Sequence, residues 1–207
     1  MGIFLPLQRD PWAEMAAIFV VASWLAYGVV FLVGRSRGTE SHVARETRSH
    51  LGFGLQILAY AGCCVFSRAF FSPIMPLPRT AQAVVAAFTA VIAVAALALC
   101  FWAAWALEKQ WALVARVIEG HELIERGPYA MVRNPIYLAM FGTLLATGLA
   151  LCRWEALPVF IVVFLAGTEI RIRSEEKLLR DAFGARFADY ARRVPALFPR
   201  VPFRSSR

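Results

Sequence analysis

The fold is decided by residues 133–176, which read RNPIYLAMFGTLLATGLALCRWEALPVFIVVFLAGTEIRIRSEE. Within this stretch, two apolar runs without a charged residue, 136–152 and 156–168, are separated only by Arg153, Trp154 and Glu155. Charge-free apolar runs bounded by short charged clusters are typical of helices that cross a bilayer. Because so short a connection permits only a sharp reversal of the chain, we predict that the two helices form a tight antiparallel hairpin.

The second of these runs continues into charged sequence, which the same helix is expected to carry out of the membrane. Its charged residues are Glu169, Arg171, Arg173, Glu175 and Glu176. Glu169 falls inside the predicted span and should face a polar cavity or a basic partner, either Arg171 or Arg173. Arg171 and Glu175 are four residues apart and can form an ion pair, whereas the neighbouring Glu176 points elsewhere, which leaves one carboxylate for a ligand. The alternative is a solvated helix whose ion pairs contribute little to stability.

Three further apolar runs, 15–34, 51–71 and 80–107, precede the hairpin. The composition, 59% hydrophobic and 17% charged residues, lies far outside the range of soluble domains. We therefore predict an all-α, polytopic membrane protein with about five transmembrane helices. The run 80–107 is longer than a bilayer requires and should tilt or kink. Arg68, near the end of the second run, is expected to snorkel towards the membrane surface.

Two segments outside the spans have the spacing of amphipathic helices. In 108–126, apolar residues alternate with charges, which predicts a helix at the membrane interface. After the fifth run, apolar residues recur every three or four positions, which predicts one amphipathic helix with a face buried against the membrane surface or the core; they are Leu179, Phe183, Phe187, Tyr190 and Val194. We divide the chain into an N-terminal three-helix membrane region, 1–107, and a C-terminal region, 108–207, with the interfacial helix, the hairpin and the amphipathic C-terminal helix.

The basic residues are distributed unevenly between the two sides of the predicted membrane. Of the 22 Lys and Arg residues, all but Arg9, Arg68, Arg79 and Arg153 follow the first, third or fifth span. The positive-inside rule then places the N-terminus outside and the C-terminus in the cytosol, as expected for a bacterial inner membrane. The net charge of +8 follows from this topology and from attraction to anionic headgroups, so membrane lipids are expected partners and nucleic acid is not.

Neither the cysteines nor the histidines indicate a metal site. The four cysteines lie in or at the ends of apolar runs and lack CxxC spacing, which is typical of small core hydrophobes. His42 and His50 lie in a basic loop with no Cys or Asp at ligand spacing, which favours a loop or headgroup role over metal binding. No metal is therefore expected.

A second polar group lies where the fourth span begins. Pro135 disfavours a helical conformation for Asn134 and removes one amide donor, so the opened backbone there could bind a polar ligand. In the alternative interpretation, Pro135 occupies the first turn of a helix and Arg133 binds lipid phosphate. A hairpin would bring Arg133, Asn134 and Tyr137 opposite residues 169–176, which predicts one site with guanidinium, amide, phenol and carboxylate groups.

An ordered set of short motifs resembles a known family. In chain order the motifs are His121-Glu122-Leu123, Gly127-Pro128-Tyr129, Arg133-Asn134-Pro135-Ile136-Tyr137, Arg171-Ile172, Glu175-Glu176, Phe183-Gly184, Tyr190 and Val194-Pro195. This set resembles the isoprenylcysteine carboxyl methyltransferase family and its bacterial and archaeal relatives, within a wider group that includes phospholipid methyltransferases. The resemblance covers about residues 119–199, and the first three spans resemble the family only as generic membrane helices.

The resemblance implies the cofactor S-adenosyl-L-methionine and no Rossmann fold. It implies that the cofactor is bound by residues around the fourth span and at the end of the fifth: His121, Leu123, Gly127, Tyr129, Arg133, Asn134, Tyr137, Glu175 and Glu176. It also implies that Arg171 and Glu176 lie beside the reacting carboxylate as catalytic residues. At position 134 the family more often has histidine. Asparagine forms hydrogen bonds but does not titrate, so a proton-transfer role is not expected there.

The function implied by the resemblance is methyl transfer to a carboxylate on a lipidated or hydrophobic substrate. The first alternative is an N- or S-methyltransferase acting on a phospholipid or a small molecule, which would need a base such as Glu169 or Glu175. The second is a non-enzymatic membrane interaction module whose basic tail recruits anionic lipid or a partner.

Overall fold

The computed structural model describes residues 10–37, 48–69, 72, 78–107 and 123–199. These ranges contain six α-helices and one 3₁₀ turn, and no β-strand. The all-α prediction is therefore confirmed for the described part of the chain. The elements are α1 (Pro11–Arg37), α2 (Arg48–Val65), α3 (Arg79–Leu107), the 3₁₀ turn Gly127–Ala130, α4 (Pro135–Leu151), α5 (Leu157–Phe183) and α6 (Ala185–Arg193).

The helices are apolar on the outside as well as in the core. Large hydrophobic side chains with high exposure include Leu25 (70%) on α1, Val65 (77%) on α2 and Trp105 (66%) on α3. By length and composition, Pro11–Val30 and Arg79–Leu107 could each cross a membrane, whereas Ser49–Val65 and Pro135–Leu151 are apolar but shorter. An outward apolar surface of this extent is typical of a protein surrounded by lipid.

The second apolar run ends as a helix earlier than its sequence suggests. Helix α2 ends at Val65, although the charge content predicted a run to residue 71, and this boundary was wrong. The chain there turns to pair with the segment after α4: Ser67 forms an isolated bridge with Cys152, and the amide of Arg68 donates to Leu151 O at 3.0 Å. Pairing with another backbone segment satisfies the amide and carbonyl groups that a longer helix would otherwise have satisfied.

Arg68 caps the C-terminal end of α4. Its guanidinium donates to Ala150 O (2.6 Å), Cys152 O (3.0 Å) and Leu149 O (3.2 Å). The last carbonyls of a helix have no partner within the helix and carry partial negative charge, so a cation is favoured there. The side chain therefore turns onto α4, and the snorkelling predicted from the sequence is replaced by a capping role.

Replacing Arg68 with methionine is expected to lower the free energy of unfolding by about 2 kcal/mol, because several carbonyls at the end of α4 lose a charged donor. Denaturant or thermal unfolding in detergent micelles measures this loss. Arg153→Met is the matched control, because the Arg153 side chain is exposed and its loss should change stability by less than about 0.5 kcal/mol. Equal unfolding curves for Arg68→Met and the unmodified protein would contradict the capping role.

Helix packing places α2 beside α5. The principal partner of α5 is α2, and α4 packs mainly along α3, which also contacts α1. The α2–α5 crossing is close at Gly52 and Gly167: a Cβ on Gly52 would lie 2.5 Å from Gly167 O, and one on Gly167 would lie 2.6 Å from Gly52 O. Only glycine permits this approach, and the crossing lies one turn from Arg171.

The long helix α5 runs without a break from Leu157 to Phe183, which confirms that the apolar span and its charged extension are one helix. The single amphipathic helix predicted beyond it was wrong, because Gly184 at φ +51° separates α5 from α6. A positive φ is disfavoured for residues with a side chain, so a glycine marks this break. The apolar face is buried against the protein itself, in a cluster of Leu123, Leu179, Phe183, Phe187, Tyr190 and Val194.

The predicted interfacial helix over 108–126 lies mostly outside the described residues. Residues 123–126, which are described, are not helical, so at least the C-terminal boundary of that prediction was wrong. This segment leads instead into the 3₁₀ turn, which contacts α3.

Candidate active site

The candidate site lies where the start of α4, the charged end of α5 and the segment after α6 meet. Arg133, just before α4, forms an ion pair with Glu176 of α5, with 2.7 Å between Nη2 and Oε1. Nη1 of the same guanidinium donates to Ala191 O at 2.9 Å and to Val194 O. Both charged side chains are mostly buried, with 12% and 15% of their surface exposed. Arg133 therefore joins α5 to the C-terminal end of α6.

The open backbone before Pro135 is occupied by the protein's own C-terminal segment. The amide of Arg133 donates to Pro195 O at 2.8 Å, and the amide of Asn134 donates to Ala196 O at 3.1 Å. The Asn134 side chain also donates from Nδ2 to Ala196 O, at 2.9 Å. Pro135 is the first residue of α4, as in the alternative interpretation, but Arg133 is paired with Glu176. Asn134 thus anchors the segment after α6 through two hydrogen bonds to Ala196 O.

A second set of contacts joins α4 to Glu175. The Tyr137 hydroxyl donates to Oε1 of Glu175, and Nη2 of Arg171 lies 3.8 Å from the same oxygen. The Arg171 guanidinium also lies over the Tyr137 ring, 5.0 Å from its centroid, which is within the range of a cation–π contact. The predicted ion pair between Arg171 and Glu175 is confirmed.

Helix α2 contributes to the surroundings of Arg171, which sequence reasoning missed. Arg171 is only 5% exposed and its guanidinium donates from Nη1 to Oε1 of Gln56, at 3.1 Å. On its other side the Phe53 ring centroid is 5.4 Å away. A signal was available, since Gln56 is a large polar residue in an otherwise apolar run, and burial of such a side chain requires a partner.

The segment before α4 covers the site from the side of α3. Tyr129 is buried, and its carbonyl accepts a hydrogen bond from the Tyr190 hydroxyl at 2.7 Å. Gly127 lies against Trp102, since a Cβ there would be 3.3 Å from the indole nitrogen. Leu123 is buried in the cluster with the apolar face of α6. The three residues therefore lie against α3 or α6, and their predicted role in cofactor binding stays a prediction.

Ion pairs hold the segment before α4 against α6. Glu125 pairs with Arg193 at 2.8 Å and with Arg186 at 3.5 Å, both on α6.

His121 lies outside the described residues, so its predicted role remains a prediction. Glu169 is half-exposed and pairs with Arg173 at 2.7 Å. That partner was one of the two expected from the sequence, and it keeps Glu169 away from Arg171.

Both acidic residues of the pair bind protein groups, but each through one oxygen. Glu175 and Glu176 form their contacts through Oε1, and within the described ranges no hydrogen bond or ion pair reaches Oε2 of either residue. About a quarter of the Glu175 side chain and 15% of the Glu176 side chain remain exposed. From the sequence, one carboxylate was expected to pair while the other serves a ligand, whereas here both carboxylates are paired, each through one oxygen.

Burial changes the ionisation of groups at this site. It raises the pKa of the Glu175 carboxyl above its usual range, although the Arg171 guanidinium and the hydrogen bond from Tyr137 favour the carboxylate and oppose the shift. Burial, together with the nearby Glu175 charge, also raises the pKa of the Tyr129 phenol. Burial therefore favours the neutral form of Glu175, and a bound cation would favour its charged form.

The fold and the site define a class of protein: a helical bundle with an exposed apolar surface and a mostly buried cluster of two arginines and two glutamates. Residues 88–181 match the model of the Isoprenylcysteine carboxyl methyltransferase (ICMT) family. On this match and on the relatives described next, that part of the chain is similar to the isoprenylcysteine carboxyl methyltransferase family.

Three relatives illustrate the match. The chain is 39% identical over 85 residues to the nickel-cobalt-cadmium resistance protein NccN of Alcaligenes xylosoxydans xylosoxydans, which covers 41% of this chain and 39% of that protein. It is 34% identical over 83 residues to protein-S-isoprenylcysteine O-methyltransferase B of Arabidopsis thaliana, covering 40% and 42%. The corresponding protein of Saccharomyces cerevisiae is 35% identical over 79 residues, covering 38% and 33%. The chain thus aligns with about two fifths or less of each of these relatives.

Proposed function

We propose that this chain is an integral membrane methyltransferase that uses S-adenosyl-L-methionine to methylate a carboxylate on a lipidated or hydrophobic substrate. The observation that carries the proposal is the cluster of Arg133, Arg171, Glu175 and Glu176, in which each carboxylate is paired with a guanidinium through one oxygen. The match of residues 88–181 to the family model supports the same reaction class.

The chemistry of these groups fits the cofactor. S-adenosyl-L-methionine carries an ammonium, a carboxylate and a sulfonium, and therefore needs both acidic and basic partners. Glu175 and Glu176 would bind its cationic groups through their second oxygens, and Arg133 would hold the charge of Glu176 in place. Tyr137 fixes Glu175 from the side of α4. The segment with Gly127 and Tyr129 would cover the bound molecule, as the resemblance implies.

Arg171 would hold the methyl acceptor. The cofactor, when bound, supplies an electrophilic methyl group. A carboxylate is ionised at neutral pH and needs no base, so the protein has to align it and keep water away. Arg171 offers a planar donor for a carboxylate. Its guanidinium is buried and lies near the Phe53 and Tyr137 rings, which would limit access of water. Glu176 would lie beside the acceptor as the second catalytic residue.

The proposed topology places this site at the cytosolic membrane surface. Helices α1 to α5 would each span the bilayer, with α4 and α5 as an antiparallel pair and the N-terminus outside. The unequal distribution of basic residues supports this orientation, and the outward apolar side chains of α1, α2 and α3 support burial in lipid. A hydrophobic acceptor would then reach Arg171 from the bilayer, and the cofactor would arrive from the cytosol.

Incorporation of labelled methyl groups tests the proposal. Purified protein in lipid nanodiscs is incubated with methyl-labelled cofactor and an S-isoprenylcysteine, the acceptor that the names of the plant and yeast relatives suggest, or with a membrane lipid extract. We expect base-labile methyl ester, and its loss in Glu176→Gln and Arg171→Ala. Equal activity in these variants would refute the site, and absence of saturable cofactor binding by calorimetry would favour the non-enzymatic membrane module.

The alternative of methyl transfer to an amine or thiol would need a base. One of its two candidates, Glu169, lies apart in a pair with Arg173, which leaves Glu175. An N- or S-methylated product, stable to base, would favour this alternative over the ester.

Cofactor binding is expected to weaken as the pH falls. Burial raises the pKa of Glu175 in the free protein, and a bound cation favours the carboxylate, so binding releases a proton. The association constant should therefore reach a plateau above the raised pKa and fall by up to about tenfold per pH unit below it. Calorimetry with S-adenosyl-L-methionine between about pH 5 and pH 7 measures this dependence. Glu175→Gln should remove this pH dependence, and Glu169→Gln should leave it unchanged. An association constant of the unmodified protein that does not vary with pH would contradict the assignment to Glu175.

A further inference from the structure

Helix α2 carries one large polar side chain into the interior of the bundle. Gln56 is 1% exposed and lies on the face of α2 that packs against α5. It is one turn from Gly52, where the backbones of α2 and α5 approach closely. This part of the chain precedes residues 88–181, which carry the family match, so any role of Gln56 is additional to the residues of that match.

The contacts of Gln56 determine the orientation of its amide. A guanidinium has only donors, so the amide must present its oxygen to Arg171, and Oε1 accepts from Nη1 at 3.1 Å. The amide nitrogen then faces the opposite way and donates to Oγ1 of Thr168 at 2.9 Å. Thr168 is itself fully buried. Both ends of the amide are therefore bound to α5, on successive turns of that helix.

The uncharged state of Gln56 matters for the charge of Arg171. Glu175 already pairs with Arg171 at 3.8 Å, and a second carboxylate at position 56 would compete with an incoming carboxylate for the same guanidinium. An amide orients the guanidinium without adding negative charge. An apolar side chain at position 56 would remove the acceptor of Nη1 and leave a buried donor without its bond, which is costly.

We infer that Gln56 is a positioning residue, which holds the Arg171 guanidinium in the orientation that receives the acceptor carboxylate. This inference rests on the proposed function, in which Arg171 binds the acceptor. It assigns to the N-terminal helices a part in acceptor recognition. The specificity it predicts is for an anionic over a neutral acceptor head, because Gln56 keeps the positive charge of Arg171 available.

The test compares a carboxylate ligand with its uncharged analogue. Binding of an S-isoprenylcysteine and of its carboxamide is measured by calorimetry in nanodiscs, in the presence of the demethylated cofactor, for the unmodified protein, Gln56→Glu and Gln56→Leu. We expect Gln56→Glu to weaken carboxylate binding by about 10- to 100-fold and carboxamide binding by less than about threefold. Gln56→Leu should weaken carboxylate binding by about tenfold, with cofactor affinity unchanged in both variants.

Thr89→Val on α3 is the matched control. Thr89 is fully buried, and among the described residues its hydroxyl bonds only to Val85 O within α3, at 2.8 Å. Its replacement therefore disturbs the bundle without touching Arg171. It should leave the preference for carboxylate over carboxamide intact. Equal losses for the two ligands in the Gln56 variants, or no loss, would overturn the positioning role alone. If the unmodified protein does not prefer the carboxylate, the proposed acceptor is wrong and the inference falls with it.

Discussion

Replacing Arg171 with lysine is expected to lower methyl transfer by about 100- to 1,000-fold, with cofactor affinity within about threefold of the unmodified protein. Lysine keeps the positive charge near Glu175 but lacks the planar fork that a carboxylate needs. It also cannot reproduce the geometry in which Arg171 contacts Gln56 and the Phe53 and Tyr137 rings at the same time. The substitution should therefore weaken acceptor binding and lower the rate of methyl transfer.

The measurement combines initial rates of labelled methyl incorporation with calorimetry of the cofactor. Arg173→Lys is the matched control, since Arg173 is on the same helix, is mostly exposed and pairs only with Glu169 among the described residues. Its activity should remain within about twofold of the unmodified protein. An Arg171→Lys protein with normal rates would contradict the catalytic role. A variant that loses cofactor binding as strongly as activity would instead assign Arg171 to the cofactor.

Replacing Arg133 with methionine is expected to weaken cofactor binding by at least about 100-fold and to expose α6 to proteolysis. Removing one partner of a mostly buried ion pair leaves the other charge unpaired, at a cost of about 3 kcal/mol or more. Here Glu176 would lose its partner, and the carbonyls of Ala191 and Val194 would lose their donor. The segment that closes the site would then detach from α5.

A double variant separates the two effects. In Arg133→Met with Glu176→Leu, neither member of the pair remains charged, so resistance to proteolysis should recover in part while cofactor binding stays lost. Arg192→Met is the control, because Arg192 is exposed and pairs with Asp189 on the same helix. If Arg133→Met binds the cofactor normally, Arg133 is a purely structural residue and the cofactor site must be moved to other groups.

Local patterns predicted much of the helical framework and part of the site. The extent of α3 and the continuity of α5 follow from runs of apolar residues and from the absence of proline between residues 159 and 183. The short connection at residues 153–155 requires the chain to reverse direction between the two apolar runs. It correctly predicts that Arg133 and Tyr137 lie near Glu175 and Glu176. Charge and spacing within one stretch of chain are sufficient for such predictions.

Contacts between distant segments were not predictable in the same way. The pairing of α2 with α5 depends on Gly52 meeting Gly167, and many other small residues in the sequence could have served as well. The role of Gln56 follows from that pairing and was missed with it. Arg68 binds carbonyls more than 80 positions away in the chain. The break at Gly184 depends on a backbone conformation that a glycine permits but does not require.

In the proposed topology, the unbroken helix α5 connects the outer surface of the membrane to the acidic pair, so a change in its tilt moves Glu175 and Glu176. From Leu157 to Glu175 the helix extends over about 27 Å at 1.5 Å per residue, so a change of only about 5° in its inclination moves Glu175 by about 2 Å. Hydrophobic mismatch alters helix inclination. The thickness of the surrounding lipid is therefore expected to affect turnover of the proposed methyltransferase, and acyl-chain length is a variable to control in any assay of it.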